Sequence, residues 1–502
     1  MNKTPTSKYA ERFKDTMEYR EWPTGETVST IGFGCYRVQA GNETHEAALK
    51  KALQSGINLI DTSTNYGDGK SEELVGKVLK DFENAQKRIT DGVMIVTKVG
   101  YVQGQNLHTA KQREFENNAY EDMVKYGEGI WHCIHPDFLK DQITESLKRL
   151  QLEKVDVVLL HNPEYYLEWA SKNDVNMTDM QLEFYRRITL AFEYLEKEVK
   201  NGRIKYYGIS SNTFPGWQGN QKFVSLEKCW HIAREIGGRT THHFKVAQMP
   251  FNLLEHGAPT ELNQDNRLKT VLDLAREAQI MVLINRPLNA ITEDGLVRLA
   301  DHKVNVQAPD IDVLRSSIQN LVKLEGVFYS EHLPKLEFHP QDGARIREYL
   351  APGAELERHW KSFKGIEHWH DVRDNVLKPK YAVALDALTH NATESLNSWI
   401  NQFLKQTDEV FKNVDNYYAA EAAPRNQKMK QCITEAIGKD VSEIPLSQLA
   451  VGLLKNTPGV ACVLVGARRE EYVDDVLEAV GNDLPECFKE EWVKLAQVAG
   501  VV

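Results

Sequence analysis

The sequence predicts an α/β fold, a (β/α)8 TIM barrel with a large helical insertion after its seventh strand and smaller insertions after strands three and four. Three observations predict it. Short apolar runs alternate with longer amphipathic segments, the pattern of β/α units on a parallel sheet. Eight such runs occur, and eight parallel strands with intervening helices close into a barrel. No Gly-x-Gly-x-x-Gly follows the first run, so the fingerprint of the rival doubly wound sheet is missing.

The elements follow in order. Strands are expected over 31–35, 57–60, 93–98, 155–161, 204–209, 246–249, 280–284 and 462–465. Amphipathic helices are expected over 46–54, 72–80, 138–150, 182–200, 226–236, 267–278 and 446–454, and 470–479 closes the series. A barrel of this kind needs about 250 residues, so much of the chain is surplus to it. The barrel is therefore assigned to 25–288 and 442–502, and 289–441 to a helical insertion with its own patterns at 312–324, 344–349 and 395–404. Residues 99–136 and 164–178 form the two smaller expansions. All three follow strands, so they emerge on the C-terminal face, where barrel active sites lie.

Composition narrows the class. A hydrophobic fraction of 41% and a charged fraction of 26% are those of a globular protein. The formal net charge of -11 argues against a nucleic-acid partner, which would favour a basic surface. Six scattered cysteines without a C-x-x-C pair read as reduced thiols. The N-terminus has no apolar signal region and nowhere do 18 apolar residues run together, so a cytoplasmic protein with no membrane partner is expected.

The chemistry is read at the strand ends. Strand two ends in INLIDTSTNYG, with Asp61 at its tip and Tyr66 in the loop. Strand three ends in VMIVTKVG, with Lys98 at its tip, and strand four in VDVVLLHNP, with His161. Three neighbouring strand ends thus bring four ionisable groups to one patch of the rim. Reducing a carbonyl by hydride requires a proton donor for the developing alkoxide. A tyrosine, with a pKa of about 10, needs a neighbouring ammonium to lower that pKa, and a buried carboxylate to orient the ammonium. Tyr66 is accordingly expected as general acid, Lys98 as its activator, Asp61 as the partner of Lys98, and His161 as a donor orienting the substrate oxygen.

These residues resemble the aldo-keto reductases, in their Asp-x4-Tyr-Gly after strand two, Lys after strand three and His after strand four. The likeness continues through GFGCYR (32–37), GISSN (208–212), AQMPFN (247–252), RPL (286–288) and VLVGARREEYVDDVLEA (463–479), covering the barrel but not the insertions. The resemblance implies an NADP cofactor, with NAD possible, and a small carbonyl or sugar-like substrate. It implies cofactor contacts at Gly34, Cys35 and Asp61 near the nicotinamide ribose. The carboxamide would be held at Ser210, Ser211 or Asn212 with Gln248, and the ring would lie against the aromatic face of Phe251. Arg286, Pro287 and Leu288 would border the pyrophosphate, and Gly466, Ala467 and Arg468 the adenosine phosphate. The chain departs from the family pattern in having Ser211 before Asn212, and at Tyr472 and Val476, where the adenine end is altered. Arg468 and Arg469 favour a 2′-phosphate, since a guanidinium suits phosphate geometry.

Other readings stand beside this one. The barrel could bind NADP as a redox sensor whose insertions contact a partner, or use the nicotinamide transiently as a lyase or epimerase. His132, Cys133 and His135 in WHCIHPDF, and the run EHWHD at 367–371, invite a metal, but neither supplies a ligand set of the right spacing, so no metal is expected. Gly67 and Gly69 read as a turn. Trp131, Tyr165, Tyr166 and Trp169 either line the substrate mouth or pack the insertions.

Overall fold

The computed structural model describes residues 3–85, 90–292, 295–301, 310–389 and 393–499. Residues 86–89 and 500–502 of the expected barrel range, and 293–294, 302–309 and 390–392 of the expected insertion, lie outside the described residues.

Eight strands close into a parallel barrel: β1 (Ile31–Gly34), β2 (Leu59–Asp61), β3 (Met94–Val99), β4 (Val155–His161), β5 (Ile204–Ser210), β6 (Phe244–Pro250), β7 (Met281–Asn285) and β8 (Val460–Val465). Each pairs with the next in sequence, and β8 pairs with β1 through Val463, Leu464 and Val465. Leu59, Met94, Val157, Val246, Leu283 and Leu464 fill the interior as one apolar cluster. This is why the strands are predominantly apolar along their length, and β2, β4 and β7 close on a polar residue at the tip. Trp22 joins the same cluster from an N-terminal hairpin of Tyr19–Glu21 with Thr27–Ser29. That hairpin begins upstream of residue 25, where the barrel was expected to start, because strands of three residues carry too short a pattern to read.

The helices α1 (Glu43–Gln54), α2 (Lys70–Ala85), α3 (Pro136–Leu150), α4 (Met177–Lys200), α5 (Leu226–Gly237), α6 (Val271–Glu277), α7 (Leu446–Lys455) and α8 (Glu470–Gly481) accompany the strands. α3 shows how local sequence sets them. His135 caps its start, Pro136 occupies the first turn, and Gln151 in left-handed conformation ends it, while Phe138, Leu139, Ile143 and Leu150 form the buried stripe. α6 is shorter than the 267–278 expected. Arg267 has φ 69, and Thr270 and Asp273 form a reciprocal capping box that starts the helix at Val271.

The chain divides into two compact units, 1–290 with 433–501, and 291–432. The first holds the barrel. In it Tyr101–Val102 pairs with Trp131–His132 around the helix Gly104–Phe115, and Tyr165–Lys172 is helical after β4. The second unit is helical, with its own core around Leu321, Phe328, Trp369 and Trp399. Its patterns at 312–324 and 344–349 fall within the helices Ile311–Val327 and Pro340–Tyr349. The pattern at 395–404 opens a helix of 44 residues, Glu394–Ile437, which carries Pro424 inside it and ends in the barrel unit. No described helix is long and apolar enough to cross a membrane.

Candidate active site

Because the strands are parallel, their last residues share one rim. Asp61 ends β2, Lys98 stands one place from the end of β3, and His161 ends β4. All three are buried, and Lys98 completely so. The Lys98 ammonium has three hydrogens and three acceptors: Asp61 Oδ2 at 2.7 Å, the Thr62 carbonyl at 2.9 Å and the Tyr66 hydroxyl oxygen at 3.2 Å. Thus the four side chains predicted to meet do meet. His161 presents its ring edge-on to that of Tyr66, with centroids 5.9 Å apart, and its Nδ1 lies 3.0 Å from Ser63 Oγ.

The electrostatics differ from the expectation in one respect. Lys98 was expected to lower the pKa of Tyr66, yet the phenol is held well above its ordinary value, chiefly by burial and then by the negative charge of Asp61. The Lys98 charge does not offset these effects, so desolvation prevails. Burial likewise raises Asp61, against the opposing pull of Lys98. His161 is pushed well below the ordinary imidazole range by burial, then by the Lys98 charge, and its ring is neutral.

From Asp61 the network continues around the rim. Gln248 Nε2 donates to Asp61 Oδ1 at 2.8 Å, while Gln248 Oε1 accepts from Ser210 Oγ at 3.1 Å and Asn285 Nδ2 at 3.3 Å. Ser211 is buried with its hydroxyl 3.1 Å from Thr213 Oγ1, and Asn212 is exposed with its amide N–H donated to Glu164 Oε1 at 2.7 Å. Phe251 does not serve as expected. It is fully buried and packs against Trp492 at 4.6 Å, so no face of its ring is open to a nicotinamide. Gly34 and Gly466 face one another where β1 and β8 end, a Cβ on Gly466 standing 3.6 Å from the Gly34 carbonyl. Cys35 lies behind them, fully buried, its thiol pKa pushed up by desolvation. Arg286 (φ 54) follows β7 and donates to Glu255 Oε1 at 2.6 Å, with Pro287 and Leu288 buried beside it. Ala467 is buried, while Arg468 and Tyr472 are exposed at the start of α8, and Val476 packs inward from it.

Several site residues were not singled out in the sequence: Ser63, Asn65, Tyr36, Tyr101, Glu164 and Asn285. Asn285 was within reach, being the polar residue at the tip of an apolar strand. Tyr101 lies edge-on to His161 at 4.6 Å and so walls its imidazole, while Tyr165 packs on Tyr101 and stacks on His132 at 5.7 Å. Tyr36 packs edge-on to Tyr66 at 5.2 Å. Tyr166 and Trp131 are buried packing residues, and Trp169 is half-buried. His132 donates from Nε2 to the His161 carbonyl at 2.7 Å and His135 caps α3. Among the described residues no group of three or more His, Cys, Asp or Glu could hold a metal.

The model of the Aldo/keto reductase family matches residues 30–268. Aldo-keto reductase YhdN of Bacillus subtilis is 29% identical over 337 residues, 64% of this chain and 81% of YhdN. The uncharacterized oxidoreductase YqkF of the same organism is 28% identical over 186 residues, 37% of this chain and 45% of YqkF. L-galactose dehydrogenase of Arabidopsis thaliana is 28% identical over 192 residues, 37% of this chain and 46% of that enzyme. The chain thus spans less than half the length of two of these three relatives. With its barrel, its four rim residues and these matches, residues 30–268 of the chain are similar to the aldo-keto reductases.

The rim also suits the dinucleotide that this similarity implies. Asn285 Oδ1 and Arg286 Nε are buried without a hydrogen-bond partner, an acceptor and a donor at the tip of β7 that a carboxamide and a phosphate could satisfy. At β8, the N-terminus of α8 has no side-chain cap, and exposed Arg468 and Arg469 precede Glu470 and Glu471.

Proposed function

We propose that the protein is an NAD(P)H-dependent oxidoreductase that reduces the carbonyl of a small sugar-like substrate, or oxidises the corresponding alcohol, with Tyr66 as general acid and base. The observation that carries this reading is the use of the Lys98 ammonium. Its three N–H groups are directed at Asp61, Thr62 and the phenolic oxygen of Tyr66. Since that oxygen accepts from Lys98, its own hydrogen is left to point elsewhere, toward a substrate oxygen at the rim.

A bound reduced nicotinamide supplies the hydride. As negative charge builds on the substrate oxygen, Tyr66 releases its proton, and the Lys98 N–H already on the phenolic oxygen stabilises the phenolate that remains. Asp61 keeps the ammonium in place, and Gln248 fixes Asp61. Burial holds the phenol protonated at neutral pH, the state a proton donor needs in the reductive direction. Gln248, Ser210 and Asn285 would hold the carboxamide, and Arg286 with Arg468 and Arg469 the phosphates, the last two favouring NADP. A sugar-like substrate accords with the name of the Arabidopsis relative.

The test is isotope transfer. With NADPH deuterated at the transferable position and a panel of hydroxyaldehydes, the label should appear on the former carbonyl carbon, one per NADPH oxidised. Nucleotide oxidation without labelled product, or no oxidation of NADPH or NADH across the panel, would overturn the assignment.

A further inference from the structure

The direction of one hydrogen-bond chain decides which nitrogen of His161 carries its hydrogen. Gln103 Oε1 accepts from Asn65 Nδ2 at 3.2 Å, which turns Asn65 Oδ1 toward Ser63. Ser63 has a single hydroxyl hydrogen and three neighbours: Asn65 Oδ1 at 2.7 Å, His161 Nδ1 at 3.0 Å and the Lys98 carbonyl at 3.3 Å. That carbonyl already accepts from the Thr64 amide at 3.1 Å. The short contact to Asn65 takes the hydroxyl hydrogen, because Oδ1 can only accept. Ser63 Oγ then faces His161 Nδ1 with a lone pair, and the pair forms a hydrogen bond only if Nδ1 is the protonated nitrogen.

A neutral imidazole has one N–H. With it spent on Ser63, Nε2 is a bare lone pair, and it makes no hydrogen bond among the described residues. Beside Tyr66, such a nitrogen repels a carbonyl oxygen and attracts a hydroxyl. This reverses the polarity expected from residue types alone, under which His161 donates to the substrate oxygen.

We propose that Ser63, Asn65 and Gln103 form a relay that fixes His161 as the Nδ1–H tautomer, so that Nε2 accepts a hydrogen bond from a hydroxyl on the carbon next to the substrate carbonyl. Ser63 and Asn65 are positioning residues in this scheme, while His161 touches the substrate. It rests on the function proposed above and sharpens it: Tyr66 serves the carbonyl oxygen, His161 the neighbouring hydroxyl, and the substrate class is a 2-hydroxy carbonyl such as a sugar. Burial and the Lys98 charge support it by keeping the ring neutral.

The relay can be read without turnover. In the full chain labelled with 15N-histidine, and with His161→Asn used for assignment, two-bond 15N–1H correlations distinguish the tautomers. Wild type should show His161 protonated at Nδ1. Asn65→Asp keeps the acceptor and should keep that state. Asn65→Leu, at a half-buried position, removes the acceptor and frees the Ser63 hydrogen, so the His161 hydrogen should move to Nε2. A wild-type ring protonated at Nε2, or the same tautomer in Asn65→Leu, overturns the relay.

The substrate arm compares glycolaldehyde with acetaldehyde. The ratio of their kcat/KM values should fall about tenfold in Asn65→Leu, the loss of one well-placed hydrogen bond, and should be retained in Asn65→Asp. An unchanged ratio in Asn65→Leu overturns the hydroxyl assignment. If no carbonyl turned over, the parent function would fall, and the tautomer would still be decided by its spectrum.

Discussion

Asp61 and Lys98 cannot be exchanged one at a time. Lys98 has no exposure and Asp61 only 4%, so removing either leaves a charge buried without its partner. Lys98→Met is expected to cost about 3–5 kcal/mol of unfolding free energy. The double variant Asp61→Asn with Lys98→Met should cost less than the two single losses added, a coupling that urea unfolding of all three variants measures. Glu164 gives a prediction with a pH sign. Its carboxyl is raised to about 7, mainly by burial, although the Asn212 N–H donates to one oxygen. An acid with a raised folded pKa contributes stability fully below its unfolded pKa and loses it as pH climbs through the folded value. Wild type should therefore weaken as pH rises from about 4.5 to about 7, by up to about 3 kcal/mol at this site. Glu164→Gln should flatten that slope in melts across the window, and an unchanged slope would show that burial there is not what the structure has it to be. At this scale Asp61, Lys98 and His161 were legible because each is an ionisable group at the end of a largely apolar run, and Tyr66 because it follows Asp61 by five residues in the loop. The Ser63–His161 contact joins residues 98 positions apart, and the loss of the Phe251 face depends on Trp492 in another helix. Neither leaves a local signal.

Gly208 illustrates what the elements demand. A Cβ there would stand 1.8 Å from the Val246 carbonyl, where the register between β5 and β6 shifts between Phe244 and Val246. No relaxation of a side chain relieves a clash with backbone, so Gly208→Ala should destabilise by about 3 kcal/mol or more, read as a fall in the urea midpoint. Gly100, at φ +152, serves the loop after β3 in a similar way. A Cβ would lie 2.7 Å from His132 Nε2 and 2.8 Å from the His161 carbonyl, the two partners of the bond that ties this loop to β4. Strand positions were readable because the interior is uniformly apolar, and helix positions because caps and stripes agree, as in α3. Element ends were harder. The α6 start was set by a capping box inside a run that also looked helical, and the 44-residue helix of the second unit was seen only in its first turns, its polar length and Pro424 masking the rest.

At the scale of the whole molecule, the two units carry separate apolar clusters, one in the barrel and one around Trp369, Phe328 and Trp399. Leu321→Ala, a fully buried truncation in the second, should cost about 2–5 kcal/mol there. It should shift one thermal transition while leaving a second in place. The central claim concerns a proton. Tyr66 gives it to the substrate oxygen while Lys98 holds the phenolic oxygen at 3.2 Å. The most direct measurement is Tyr66→Phe in the intact enzyme, which keeps the ring and removes only the hydroxyl. The account predicts that carbonyl-dependent NADPH oxidation falls by about 10²–10⁴-fold, with the nucleotide dissociation constant within about twofold of wild type, since Tyr66 is placed in proton transfer rather than in holding the nucleotide. A variant that turned over at the wild-type rate would contradict it.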